Sequence, residues 1–170
     1  MTEQQLYTIT DFSNFADQKW HIVNDGVMGG LSQSHFQILA NNHALFSGTV
    51  SLQNNGGFAS AKNHHSLNLD GYRKILISHK GDGKRYSFRF RTQNNNQLNN
   101  WVYEHRFDTS ENILTTSELY LNSFVPVYRG RKVTDAPPPD LSAIKEYGFL
   151  ISDQQPGDFR LEIASITAAV

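Results

Sequence analysis

Regular alternation between apolar and polar side chains constrains the fold of this sequence more than any other feature. A β-strand points successive side chains to opposite faces, so a period of two predicts half-buried strands. The alternating apolar residues fall in five segments: Phe36 and Ile38; Phe46, Val50 and Leu52; Tyr86, Phe88 and Phe90; Trp101, Tyr103, His105 and Phe107; Phe159, Leu161 and Ile163.

Two short runs are apolar at every position and indicate strands in the middle of a sheet, Ile75-Leu76-Ile77 and Phe149-Leu150-Ile151. Turn-forming residues separate the strand segments, as in Asn54-Asn55-Gly56-Gly57 and Gly81-Asp82-Gly83. Such close turns favour antiparallel hairpins over helical crossovers. We therefore predict an all-β fold in which two antiparallel sheets pack as a sandwich.

Helix signals are few, so we expect only one or two short helices. Asp140 can cap a helix from Leu141 to Ile144 after three prolines, and residues 11–15 give a weaker signal for a helical turn. The 170 residues match the length of one domain, and the chain contains no Cys. Residues 1–170 are therefore expected to form a single domain without disulfides.

Charge and hydropathy exclude two classes of partner. The chain has 15 Lys and Arg against 16 Asp and Glu, which argues against duplex nucleic acid. It has no apolar run near the roughly 20 residues of a membrane span. Residues 1–5 have neither the basic nor the apolar part of a secretory signal, so a bacterial-type cytoplasmic location is expected.

The sequence contains no G-x-S-x-G, H-E-x-x-H, P-loop or EF-hand motif. The run Gly26-Val27-Met28-Gly29-Gly30 is glycine-rich, but it lacks the spacing and the following helix of a dinucleotide site, so we interpret it as a conformationally demanding loop. The seven His lie in separate segments without metal-ligand spacing. We expect no enzyme activity, no metal and no cofactor.

Arginine side chains on one strand face are the most informative polar feature. If the aromatic residues of segment 86–90 face the core, Arg89 and Arg91 emerge on the opposite face, where Arg106 can join them. Arginine binds carboxylate or phosphate through two parallel hydrogen bonds, so this face can accept an anion or a partner. The favoured alternative is that these arginines pair with Asp and Glu on adjacent strands.

Six segments in chain order resemble one family, that of the NADH:ubiquinone oxidoreductase complex I intermediate-associated protein 30. They are residues 20–32, 46–52, 55–60, 81–86, 124–131 and 148–153. The most specific is Asn24-Asp25-Gly26-Val27-Met28-Gly29-Gly30. The resemblance implies a galactose-binding-like jelly roll related to carbohydrate-binding modules, and a chaperone-like association with assembly intermediates of respiratory complex I. It implies no catalytic residue.

Candidate binding residues follow from the two segments that carry the resemblance most sharply. These are Asn24, Asp25 and Met28 in the 24–32 loop, and Arg129 and Arg131 around Gly130. The alternative for the loop, which we favour, is structural: its glycines permit positive φ, and its polar side chains bind backbone amides. For the two arginines we expect a partly buried groove that accepts an acidic group.

These observations leave three function classes. The leading hypothesis is a non-catalytic binding module that helps a multi-subunit complex to assemble through a protein partner. The alternative is a lectin-like module that binds a glycan by aromatic stacking, for which Trp101, Tyr103 and Asn99 are candidates. An enzyme ranks last because the sequence offers no acid–base pair.

Overall fold

The computed structural model describes residues 5–92 and 101–170, and thirteen β-strands lie in that part of the chain. They are β1 (Leu6–Thr10), β2 (Trp20–Asn24), β3 (Gln33–Ile38), β4 (Ala44–Val50), β5 (Ala59–Leu67), β6 (Lys74–Lys80), β7 (Arg85–Thr92), β8 (Val102–Asp108), β9 (Leu114–Tyr120), β10 (Val125–Tyr128), β11 (Arg131–Lys132), β12 (Ile144–Ile151) and β13 (Gly157–Ala169).

The strands form two sheets in which every neighbouring pair is antiparallel. The six-stranded sheet has the order β3-β4-β13-β6-β9, and β1 also pairs with β13. The seven-stranded sheet has the order β11-β10-β8-β7-β12-β5-β2. The prediction of an all-β fold with two antiparallel sheets is confirmed.

Aromatic rings fill the space between the sheets. Phe88 on β7 and Phe149 on β12 pack edge to face with ring centroids 5.5 Å apart. Phe46 and Phe159, on the six-stranded sheet, pack in the same way at 5.0 Å. Burying such a side chain contributes about 1.5–3 kcal/mol to the free energy of folding. The two inner sheet faces therefore provide the principal hydrophobic contact of the described chain.

The predicted orientation of β7 is confirmed. Tyr86, Phe88 and Phe90 are each 1% exposed and face the core. Arg89 and Arg91 alternate with them and lie half-buried on the opposite face of the seven-stranded sheet. Because paired residues on neighbouring strands share a face, this orientation defines an inner and an outer face for the whole sheet.

The helix predictions need correction. Asp140 does not cap a helix, because its carboxylate accepts a hydrogen bond from the Ser142 amide at 3.1 Å and closes a turn, after which Ile144 begins β12. The helical turn predicted around residues 11–15 is displaced: Phe12 has a non-helical φ of 65°, and the 3₁₀ turn begins at Phe15. Helical structure in the described chain consists of short 3₁₀ turns at Phe15–Asp17, Asp25–Met28, Gln53–Asn55 and Leu121–Ser123. No helix among these residues is long and apolar enough to cross a membrane.

A histidine side chain, that of His79 on β6, lies within the core. It is fully buried, and its ring centroid is 5.0 Å from that of Phe107. Its Nε2 lies 2.7 Å from Ser117 Oγ, whereas its Nδ1 has no hydrogen-bond partner among the described residues. Burial lowers the pKa of His79 because the charged imidazolium would lose its hydration.

We predict that His79 makes the protein acid-sensitive. Because the pKa is lower in the folded than in the unfolded chain, the unfolded state binds the proton first, and stability falls as the pH drops below about 6.5. The loss is at most about 1.4 kcal/mol per pH unit. Urea unfolding at about pH 7.5 and about pH 5 should show a smaller difference for His79→Gln than for the wild type.

The matched control is His35→Gln, since His35 is exposed on β3. This variant should keep the wild-type difference between the two pH values. Equal pH dependence of His79→Gln and the wild type would show that His79 does not carry the effect.

Candidate functional site

The loop with the most specific sequence is built around a buried carboxylate. Asp25 is fully buried between β2 and β3. Its Oδ1 accepts a hydrogen bond from the Ser32 amide at 2.9 Å, and its Oδ2 accepts from Ser32 Oγ at 2.5 Å and from the amides of Gly57 and Phe58 at 2.7 and 3.3 Å. Burial alone would raise the pKa of Asp25. The hydrogen bonds to the carboxylate outweigh burial, so the carboxyl pKa lies below its ordinary value.

Glycines make room for this carboxylate. A Cβ at Gly30 would lie 2.4 Å from Asp25 Cγ, and a Cβ at Gly56 would lie 2.5 Å from Asp25 Oδ2. Gly29 has a φ of 87°, which the structural interpretation of the loop requires. Asn24 Oδ1 accepts a hydrogen bond from Ser34 Oγ at 2.7 Å. Asn24 and Asp25 therefore join neighbouring segments of the fold.

The side chain of Met28 lies outside the described part of the structure. Met28 therefore stays a predicted binding residue, without a structural account of its side chain.

The prediction of a partly buried groove beside Arg129 and Arg131 is wrong. Both arginines are exposed, because they lie in a tight hairpin in which Tyr128 on β10 pairs with Arg131 on β11. The two turn residues, Arg129 and Gly130, have φ values of 49° and 78°. The Arg129 guanidinium lies 5.3 Å from the Tyr128 ring centroid.

Trp101 and Tyr103 do not form an exposed stacking platform. They are 8% and 1% exposed, respectively. Trp101 Nε1 donates a hydrogen bond to Tyr103 Oη at 3.1 Å, and Tyr103 Oη donates to the Pro137 carbonyl at 2.7 Å. The 133–141 segment covers this end of the inner face, as the packing of Val133, Ala136 and Leu141 against the core shows. Asn99, the third candidate for sugar stacking, lies outside the described residues.

The outer face of the seven-stranded sheet carries the charged side chains that the sequence placed there. Pairing and alternation assign to it, among the described strand residues, His21 and Val23 on β2; Ser60, Lys62 and His64 on β5; Glu146, Gly148 and Leu150 on β12; Arg85, Ser87, Arg89 and Arg91 on β7; Val102, Glu104, Arg106 and Asp108 on β8; Val125 and Val127 on β10; and Lys132 on β11. None of these described residues is Phe, Tyr or Trp.

Three of the four described arginines on this face form ion pairs, as the favoured alternative predicted for Arg89 and Arg106. Arg85 Nε lies 2.8 Å from Asp108 Oδ1, on the neighbouring strand. Arg89 Nε lies 2.6 Å from Glu104 Oε2, on the neighbouring strand. Arg106 forms two parallel hydrogen bonds of 2.9 and 3.0 Å with the Asp153 carboxylate. The side chain of Arg91 differs, because it forms no ion pair or hydrogen bond with any residue in the described ranges.

A small cavity opens on the outer face above Gly148, at the centre of the sheet. In the antiparallel register Gly148 lies between Lys62 and Arg89, and Glu146 and Arg91 line the cavity on one side. A Cβ at Gly148 would lie 2.0 Å from the Ala61 carbonyl oxygen, so only glycine fits this close strand approach. We call this the Gly148 cavity. Its volume is about 20 Å³, sufficient for one small polar group.

The charges around the Gly148 cavity do not balance locally. Glu146 is the only carboxylate among its lining residues, and it is shared, with Oε2 at 3.1 Å from His64 Nδ1 and Oε1 at 3.8 Å from Lys62 Nζ. Burial lowers the pKa of Lys62, and the positive charges of Arg91 and Arg89 lower it as well. The negative charge of Glu146 acts in the opposite direction. The arrangement can attract an anionic group.

Sequence reasoning identified Arg89 and Arg91 but missed Lys62, Glu146 and Gly148. Gly148 carried a usable signal, because a glycine inside an apolar strand marks a close backbone approach or a site where a ligand can reach the backbone. Lys62 and Glu146 have no such signal in the sequence, since only the register between β5 and β12 brings these two residues together. Among residues 5–92 and 101–170, no three His, Cys, Asp or Glu side chains are grouped as metal ligands.

Comparison with known proteins identifies both a family and a fold. Residues 10–163 match the family described as Complex I intermediate-associated protein 30. Uncharacterized protein C9E9.15 of Schizosaccharomyces pombe is 28% identical over 176 residues, which cover 91% of this chain and 80% of that protein.

Among solved structures, the Family 11 Carbohydrate-Binding Module of cellulosomal cellulase Lic26A-Cel5E of Clostridium thermocellum is similar with a TM-score of 0.71 and 15% identity, over 98% of this chain and 95% of that chain. The Clostridium thermocellum Family 11 module in complex with a β-1,3-1,4-mixed-linked tetrasaccharide has a TM-score of 0.69 and 14% identity, over 99% and 96% of the two chains. These similarities confirm the predicted jelly-roll fold.

We predict that Asp25 stabilises the fold. Asp25→Asn should lower the free energy of unfolding by about 3 kcal/mol, because the amide removes a charged acceptor and turns an NH₂ group toward buried donors. Urea unfolding measures this loss, with Asp70→Asn at an exposed position as the control. An Asp25→Asn protein as stable as its control would contradict the structural role and favour a binding role for the loop.

Proposed function

Because the chain belongs to the Complex I intermediate-associated protein 30 family, we propose that it is a non-catalytic binding module that contacts a protein partner, as an assembly factor for a respiratory or other multi-subunit complex does. The family match over residues 10–163 is the observation that carries this proposal. The partner surface we propose is the outer face of the seven-stranded sheet.

The composition of this face supports a protein partner. Arg89–Glu104 and Arg106–Asp153 hold charged groups in fixed positions. Beside them Val125 and Val127 line a depression of about 210 Å³ with Glu104 and Arg106. Protein interfaces combine ordered polar groups with apolar contacts in this way, and charge complementarity selects the partner.

A carbohydrate-binding module is the alternative function. The similarity to the Family 11 modules favours it, since one of those structures contains a tetrasaccharide. A sugar ring stacks best on an exposed aromatic face, and the described residues of the outer face include no Phe, Tyr or Trp. The proposal of a protein partner therefore has more support from this surface.

Site-directed photocrosslinking tests the proposed surface. Val125 is replaced by p-benzoylphenylalanine, whose ring the 210 Å³ depression has room for, and the protein is irradiated in a lysate of its source organism. We expect covalent adducts with one recurrent protein, identified by mass spectrometry, because a bound partner would cover this face.

The matched control places the same photoreactive residue at Thr116, which is exposed on β9 of the other sheet. Equal adducts at both positions, or none at Val125, would refute the proposed surface. Saturable binding of a β-1,3-1,4-mixed-linked tetrasaccharide, lost when Val125 is replaced, would instead establish the carbohydrate alternative.

A further inference from the structure

The Gly148 cavity has more positive than negative charge around it. Lys62, Arg89 and Arg91 line it, together with the single carboxylate of Glu146. Glu104, outside the cavity, neutralises Arg89 at 2.6 Å. The remaining cations, Lys62 and Arg91, have one carboxylate beside them, that of Glu146, which contacts Lys62 at 3.8 Å and His64 at 3.1 Å but forms no ion pair with Arg91.

The guanidinium of Arg91 has hydrogen-bond donors without protein partners in the described ranges. It has five N–H donors, and none of them meets an acceptor in these ranges. The other three arginines of the face, Arg85, Arg89 and Arg106, have carboxylate partners at 2.6–3.0 Å. A bound carboxylate would supply the Arg91 guanidinium with two parallel hydrogen bonds.

Lys62 provides an independent observation. Burial and the neighbouring guanidinium groups of Arg91 and Arg89 lower its pKa, and the distance of 3.8 Å from Glu146 is longer than a hydrogen bond. A second anion beside Lys62 would stabilise its ammonium group and raise this pKa. The 3.8 Å separation leaves room beside the Lys62 ammonium for a second anionic group.

The shape of the cavity restricts what can enter. Its floor is the backbone at Gly148, where a side chain is sterically excluded, and its volume of about 20 Å³ accommodates one small polar group. A pyranose ring does not fit this volume. The terminal oxygens of a carboxylate can enter between Lys62 and Arg91 while the rest of the ligand stays on the outer face.

We propose that the Gly148 cavity receives the carboxylate of an aspartate or glutamate side chain of a partner protein, held by Arg91 and Lys62. This inference rests on the proposed function, because it takes the partner to be a protein, and it adds the chemistry that the partner must present. An acidic saccharide shares the carboxylate chemistry and is distinguished by the test.

The test is a titration of the ¹⁵N-labelled full chain, followed by NMR, with an acetylated and amidated hexaglutamate peptide. We expect saturable shifts of the amides of Lys62, Arg91 and Gly148 below about 5 mM peptide, a raised pKa for Lys62, and loss of the shifts at high salt. Arg91→Gln should weaken binding about ten-fold or more. Lys62→Met is a second variant with the same expected direction.

The matched control is Arg129→Gln, which removes one positive charge from an exposed position at the β10–β11 turn. This variant should bind the peptide as the wild type does. Equal weakening in Arg91→Gln and Arg129→Gln would show that only net charge matters and would overturn the proposal. Shifts at Gly148 with hexaglutamine would overturn it too, because the site would then not require a carboxylate.

The results also separate this inference from the proposed function. Adducts at Val125 without peptide binding at Gly148 would leave the partner surface standing and overturn the acidic contact. Binding of a galacturonate oligomer but not of hexaglutamate would overturn the protein source of the carboxylate.

Discussion

The alternation of side chains along β7 and β12 is the constraint on which both the core and the proposed site depend. Phe88 and Phe149 are paired across these strands and pack against each other inside the sandwich at 5.5 Å. The next residues in the same register, Arg89 and Gly148, must then share the outer face. A shift of one residue would bury the charged set and expose the aromatic set, so the core itself fixes the position of the charged surface.

The fold was largely predictable because the strongest signals are local. Strict alternation located β3, β7 and β8, which the structure contains. The sequence of β5 gives no such signal, because its buried positions Ala59, Ser60 and Ala61 are small and give no amphipathic contrast. The residues after Asp140 are compatible with a helix in sequence, because an aspartate that caps a helix and one that closes a turn look alike until the pairing of Ile144 with Leu67 and Thr92 is known.

The site was only partly predictable, because its properties depend on contacts distant in sequence. Orientation of Arg89 and Arg91 follows from alternation, but which arginine is neutralised depends on the register that places Glu104 opposite Arg89. The burial of Trp101 likewise depends on tertiary contacts: its neighbour Tyr103 bonds to Pro137, 34 residues further along the chain.

A crystal structure of the protein with the hexaglutamate peptide tests the central claim most directly. We expect a carboxylate above Gly148, with oxygens within about 3.2 Å of Arg91 and Lys62. We also expect Glu146 to keep its 3.1 Å contact with His64, since that contact exists without the ligand. A peptide carboxylate bound at Arg129 or Arg131 with the Gly148 cavity unliganded would contradict the account.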